Sequence, residues 1–263
     1  MGTSRHTIYI GNDTILTKTL FGKKMYLDAK DISLTPHILL DGVWEINVTR
    51  AILRVLAKEM NVIEIGANVG YYSLLIGSRV NRLFCFEANK KMYDLLRKNV
   101  EINGLLDKVV CINKAVTNKE GTVRLNLFRE HSGGGTICKV ENEVLSTYNE
   151  TIEAVEIEST MIDGYFKDLE IPIHLIKIDA EGSEPLIIEG MNRVLEKNRN
   201  LILVMELNAS LISSYTDVKK FLNHLQSLGF ELNYIDNDST IKQASVEELV
   251  NIGQCDMYLT RTQ

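Results

Sequence analysis

Four acidic residues, Glu64, Glu87, Asp179 and Glu206, each lie within or just after a short apolar run. In an open parallel sheet, ligands bind beyond the carboxyl ends of the strands, so acids at strand ends are candidates to touch one. Any one of them would suit a solvated loop equally well. Four on one rim would crowd negative charge unless lysine, arginine or a cationic or hydroxyl-rich ligand offset it. Two more carboxylates follow Asp179 in Leu175-Ile-Lys-Ile-Asp-Ala-Glu-Gly-Ser-Glu184. Acids at a helix N-terminus suit the dipole, which accounts for part of Glu184. It does not account for Asp179, which leaves an apolar strand directly. Lys177, two residues earlier on the same strand face, needs an anionic partner if buried, and these acids can supply it.

The loop after the first strand narrows the ligand. Gly66 and Gly70 bracket Ala67-Asn68-Val69. The dinucleotide fingerprint G-x-G-x-x-G requires glycine where Asn68 stands, because a pyrophosphate presses on backbone at the helix N-terminus. A ligand without phosphates needs fewer glycines. Gly66 then permits close backbone approach, and Gly70 lets the next helix start close to the sheet. Glu87 stands 23 residues after Glu64, close to where α/β nucleotide sites keep the acid that grips ribose hydroxyls. A carboxylate there repels a 2′-phosphate, so the pair fits adenosine without phosphate.

These residues must be held by an alternation of short apolar runs with helical patterns, which signals a parallel α/β sheet. Strands are expected at 62–65, 83–86, 109–113, 173–178 and 201–205, with helices at 71–79, 91–102, 185–197 and 217–228. Asn103-Gly104 and Gly229 supply helix stops. Runs 231–235 and 257–260 close the series as an antiparallel pair at the sheet edge. Between 121 and 160 the rhythm breaks: strands at 122–128 and 154–158 flank His131-Ser-Gly-Gly-Gly-Thr136, and an insertion of that length is usually functional or mobile. A short helix near 161–167 follows. Before Asn61 the chain has hairpin character across 14–27 and an amphipathic helix at 45–58. Residues 1–44 read as a β-rich N-terminal extension, and 45–263 as the main domain. The expected fold class is α/β, doubly wound, with a mostly parallel seven-stranded sheet bearing an antiparallel edge strand.

Composition sets outer bounds. Hydrophobic residues make up 45% and charged residues 24%, with a formal net charge of −6. That balance offers phosphate backbones no general attraction, so nucleic acid is a disfavoured partner. Cys85, Cys111, Cys138 and Cys255 show no metal-ligand spacing, and all but Cys138 sit in apolar runs as core thiols. No run is long enough to span a membrane, no signal peptide opens the chain, and His6 spoils a myristoylation motif at Gly2. A cytoplasmic location is the expectation. The oligomeric state is open, a homodimer included.

The chain resembles the FkbM-type methyltransferases over roughly residues 45 to 235. The resemblance rests on Ile63-Glu-Ile-Gly-Ala-Asn-Val-Gly-Tyr-Tyr72, Phe86-Glu-Ala-Asn89, Leu96-x-x-Asn-Val-x-x-Asn-Gly104, Ala115-Val116, Gly121, Ile176-Lys-Ile-Asp-Ala-Glu-Gly-Ser-Glu184, Gly190 and Glu206. The lysine-acid-glycine-acid segment is its most specific mark; the first motif alone says only class I methyltransferase. Departures are mild: Glu64 stands for a usual Asp, Ala88 for a usual Pro, and Ile162-Asp163 for Leu-Asp.

The resemblance implies S-adenosylmethionine as cofactor, S-adenosylhomocysteine as product, and a hydroxyl acceptor on a sugar, a glycan or a natural product. The implied cofactor set is Glu64, Gly66, Ala67, Asn68, Gly70, Tyr71, Glu87, Ala88, Asn89, Ala115 and Asp179. Glu45 and Thr49 fall near the methionine end, with ordinary helix-surface residues as the alternative. A neutral hydroxyl is a poor nucleophile, so a general base near the methyl helps. Asp179 leads that choice, with Glu181, Glu206 and His131 behind it. Clustered carboxylates would suit magnesium, yet no diagnostic spacing is present and no metal is assigned. Two rival readings are a nucleic-acid or protein methyltransferase of the same fold and a non-catalytic S-adenosylmethionine-binding module. The first should show a basic face and often an Asn-Pro-Pro-Tyr-like motif, where this chain has Asp-Ala-Glu-Gly. The second predicts loss of the acid rim, which is intact.

Overall fold

The structure, a computed structural model, describes residues 6–128, 135–137 and 152–261. It opens with three antiparallel strands, β1 (Ile8–Gly11), β2 (Thr14–Lys18) and β3 (Lys24–Asp28), followed by helices Leu34–Leu40 and Ile46–Val55. The expected hairpin is β2–β3, turning at Gly22 in the left-handed region. Helix Leu34–Leu40 was not expected from the sequence. Asp31 anchors its first turn by accepting from the Leu34 and Thr35 N–H groups.

The main sheet carries β4 (Asn61–Ile65), β5 (Arg82–Phe86), β6 (Val109–Ile112), β10 (Leu175–Ile178) and β11 (Ile202–Asn208) in the parallel order β6-β5-β4-β10-β11. Between β6 and β10 lie β7 (Ala115–Val116), β8 (Gly121–Phe128) and β9 (Ile152–Thr160), which form a separate three-stranded sheet. The closing strands are β12 (Phe230–Glu231), β13 (Asn233–Ile235), β14 (Ile241–Gln243) and β15 (Gln254–Arg261). β15 runs antiparallel to β11 and sits between it and β13. The strand count therefore exceeds seven: β12 pairs with β15, and a β13–β14 hairpin forms the true edge. β14 is short and polar, so periodicity does not reveal it.

Strands β4 and β10 are buried along their whole length, as expected of parallel strands covered on both faces. Ile63, Ile65, Ile176 and Ile178 pack with Ile187, Leu195, Phe221 and Leu249 on one side. Val62, Leu83, Leu175 and Val204 pack with Leu74, Leu96, Ile52 and Leu27 on the other. The expected helix over 185–197 is two, Glu184–Glu189 and Asn192–Lys197. The break follows from close packing: a Cβ on Gly190 would lie 2.3 Å from the Thr117 carbonyl oxygen.

The N-terminal sheet is tied to the core by two side chains of helix Lys90–Ile102 and its cap. Asn99 accepts from the Tyr26 N–H and donates to the Tyr26 and Val69 carbonyls. Asn103 does the same with both backbone groups of Lys24. The pair acts as a neighbouring strand for β3, and Asn99 also holds the loop after β4.

Candidate functional site

The loop after β4 is shaped by three residues in the left-handed region: Gly66 at φ 81°, Asn68 at φ 50° and Gly70 at φ 91°. Gly66 and Ala67 both donate to the Phe86 carbonyl, which draws the loop across the end of β5. A Cβ on Gly70 would strike the Leu96 side chain at 2.6 Å. The left-handed backbone at Gly70 favours glycine more than this contact does, since the Leu96 end can shift, and Ala67 seals the inner side of the loop at 3% exposure.

Glu87 follows β5 directly. Its two oxygens accept from the Asn68 and Asn89 N–H groups, both at 2.7 Å, so both loops aim one carboxyl group. Burial pushes its pKa up to about 7 against those two hydrogen bonds. Asn113, absent from the residues singled out in the sequence, donates to the Glu87 and Ala88 carbonyls and fixes that turn. Its only sequence signal is a polar side chain just past β6.

These groups line a cavity of about 1120 Å³ at the carboxyl ends of the parallel strands. Gly66, Ala67, Asn68, Tyr71, Glu87, Ala88, Asn89, Ala115, Asp179, Glu45, Glu181 and Glu206 all reach it. Glu64 does not. It is 1% exposed and accepts from Ser73 and Cys85 beneath the floor, where burial raises its pKa to about 6. A strand residue one position from the strand end points to the opposite face from its neighbours, so Glu64 is corrected to a support of the helix Tyr71–Gly77. Gly70 and Thr49 also stay off the cavity wall. Thr49 is buried, bonded to the Trp44 carbonyl and to Tyr71 Oη. Glu45 caps the helix Ile46–Val55 from the left-handed region rather than riding on it. His131 lies outside the described residues.

At the other end of the cavity the acids converge on one lysine. Lys177 Nζ lies 2.9 Å from Asp179 Oδ2 and 4.5 Å above the Tyr72 ring centre, and Tyr72 Oη donates to Glu45. Burial works against the Lys177 charge, but Asp179, Glu45 and Glu64 outweigh it and hold its pKa above the ordinary lysine value. Burial, then the charge of Asp179, raises Glu206 to about 7, and burial with Asp179 and Glu206 raises Glu181 to about 9. Asp256, which the sequence reading missed, faces Glu206 across the β11–β15 ladder and is raised by burial to about 7. Asp179, Glu181 and Glu206 bring one oxygen each to within 4.8 Å of one another, a spacing open to one hard cation. No metal is assigned.

The arrangement fits a cationic, adenosine-bearing ligand. It offers a fixed carboxyl group at one end, backbone approach in the middle and acids at the other, with no phosphate cradle. Its volume exceeds what a drug-sized ligand fills, leaving space for a second molecule.

The sequence model of the Methyltransferase FkbM domain matches residues 64–232. The chain belongs to the FkbM methyltransferase family. Methyltransferase sdnD of Sordaria araneosa is 25% identical over 158 residues, covering 50% of this chain and 60% of that protein. The chain thus spans three fifths of the length of the curated relative it matches. Among solved structures, methyltransferase FkbM from Methylobacillus flagellatus KT has a TM-score of 0.47 at 13% identity, over 76% of this chain and 43% of that one. Methanocaldococcus jannaschii Trm5, solved with adenosine, reaches 0.51 at 11% identity, over 100% and 57%. At these identities the structural likeness is one of fold, that of class I methyltransferases. FkbM membership makes S-adenosylmethionine the donor to fit in the cavity. Among the described residues no helix is long and apolar enough to cross a membrane.

Proposed function

We propose that this chain transfers a methyl group from S-adenosylmethionine to a hydroxyl of a sugar, glycan or natural product. The observation that carries this reading is the continuity of one cavity from Glu87 to the acids Asp179, Glu181 and Glu206. The cofactor, when bound, supplies a methyl group on a sulfonium centre, which is reactive enough that the protein mainly orients.

Glu87 accepts from the ribose hydroxyls while the Asn68 and Asn89 N–H groups hold its carboxyl group in place. Glu45 and Asp179 favour the cationic methionine end. An acceptor hydroxyl must lose its proton as it attacks, and a carboxylate poised near neutrality takes it best. Asp179 stands at the strand end nearest the loop but already pairs with Lys177. Glu206, raised to about 7, shares the role, with one oxygen held by Gln254 at 2.9 Å. Beyond the acids the wall mixes Leu125, Phe128 and Leu211 with Asn208, Ser210 and Ser214, suited to a partly apolar polyol. The acid rim disfavours a phosphate backbone.

The test is incubation with S-adenosylmethionine and a panel of sugars, glycosides and polyketide alcohols, read by mass spectrometry. Addition of one methyl group to oxygen supports the reading. Transfer only to nitrogen, or only to nucleic acid, contradicts it.

A further inference from the structure

Glu181 occupies an unfavourable backbone state for a residue with a side chain: φ is 49°, and Gly182 follows at 91°. Non-glycine residues enter this region at a cost and persist there when surrounding contacts hold them. The holding contact comes from a distant part of the chain. Thr136 Oγ1 donates to the Glu181 carbonyl oxygen at 2.7 Å. Thr136 is 3% exposed, and it is itself fixed by a two-way backbone bridge to Asn126, at 2.8 and 3.0 Å. Asn126 lies in β8, paired residue for residue with β9 from Gly121 to Phe128. Gly135, Thr136 and Ile137 line the same cavity as Glu181.

We propose that Thr136 is a positioning residue: its hydroxyl locks Glu181 in the left-handed turn and so aims that carboxyl group at Asp179 and Glu206. The bridge from β8 through Thr136 thereby sets the geometry of the acid rim. This rests on the methyl-transfer reading for its purpose but not for its test. The groups acting on the Glu181 carboxyl are Asp179 from the end of β10, Glu206 from β11, Glu184 from the following helix and Glu45 from before Ile46–Val55. Burial first, and then their crowding, keeps the proton on Glu181; freed from the turn, the side chain would swing toward water and release it more easily.

The test needs neither acceptor nor cofactor. Protein labelled with ¹³C at the glutamate carboxyl carbons is titrated by NMR with a chelator present, and the Glu181 signal is assigned by its loss in Glu181→Gln. Thr136→Ser keeps the hydroxyl and should leave the Glu181 midpoint in place. Thr136→Val and Thr136→Ala should lower it by about one unit or more. The alanine variant carries the test if valine does not fold. A midpoint unmoved by loss of the hydroxyl, or moved as far by serine, overturns the proposal. S-adenosylhomocysteine binding, measured alongside, should stay within about twofold of wild type, so a failure here is distinct from failure of the cofactor assignment.

Discussion

The space that a side chain at Gly66 would need is taken by the main-chain oxygen of Asp179, 1.7 Å from where a Cβ would sit. The glycine loop and the acid segment are therefore in contact. The first motif's glycine exists so that the end of β4 and the end of β10 can close together. The glycine loop and the acid segment are thus held together at the ends of two neighbouring strands.

Gly66→Ala should cost stability and cofactor binding together. Overpacking against backbone plus a left-handed non-glycine residue amounts to about 3 kcal/mol. A denaturant melt should show the midpoint falling with an unchanged slope; an unchanged midpoint would show that the ends of β4 and β10 can part freely.

Lys177→Met should leave Asp179 and Glu45 without their cation. One partner is partly exposed, with 29% of the Asp179 side chain open to solvent, so the loss is discounted to about 2 kcal/mol near neutral pH. The penalty should shrink in acid, where Glu206 and Asp256, both raised by burial to about 7 and both held lower by the Lys177 charge, take up protons and need that charge less. Equal penalties at about pH 5 and about pH 8 would contradict the pairing.

Glu184 should make the ligand-free protein lose stability as pH rises. It is 1% exposed, and burial raises its pKa to about 8 against hydrogen bonds from its own N–H and that of Ala180. A raised folded pKa means the folded state holds more protons. The stability is full below the ordinary carboxyl value and lost as pH climbs through about 8. Glu181, Glu206, Glu87 and Asp256 act in the same direction. Thermal melts should fall from about pH 5 to about pH 9, and Glu184→Gln should flatten that slope by on the order of 2 kcal/mol. A slope unchanged by the substitution would show that Glu184 ionises as an ordinary acid.

Asn113→Ala should weaken S-adenosylmethionine binding about tenfold, because two hydrogen bonds that fix the Glu87 turn are lost. The melting temperature should change little, since this turn lies at the cavity edge. Unaltered affinity would mean that the turn holds itself.

That β4, β5, β10 and β11 are parallel was legible because apolar runs alternating with amphipathic helices have few other arrangements, while their order in the sheet was not. That Glu87, Asn68 and Asp179 come to one cavity was legible because each follows closely on a buried parallel strand. Glu64 was misplaced by one residue of strand alternation, which apolar runs do not reveal when both faces are buried. Asp256 and Asn113 come to the site through β-ladder register and turn geometry, which no local pattern encodes. The Gly66–Asp179 contact joins residues more than a hundred positions apart, so the sequence showed two glycine-bearing motifs but not that one is shaped around the other.

In the proposed reaction, Glu87 and the loop after β4 hold the adenosine end of the methyl donor. Calorimetric titration of S-adenosylmethionine into wild-type and Glu87→Ala protein, with folding matched by circular dichroism, tests it most directly. Wild type should bind at one site per chain, and the variant should bind about a hundredfold more weakly or not at all. Full-strength binding by a folded Glu87→Ala protein would show that Glu87 does not hold the donor.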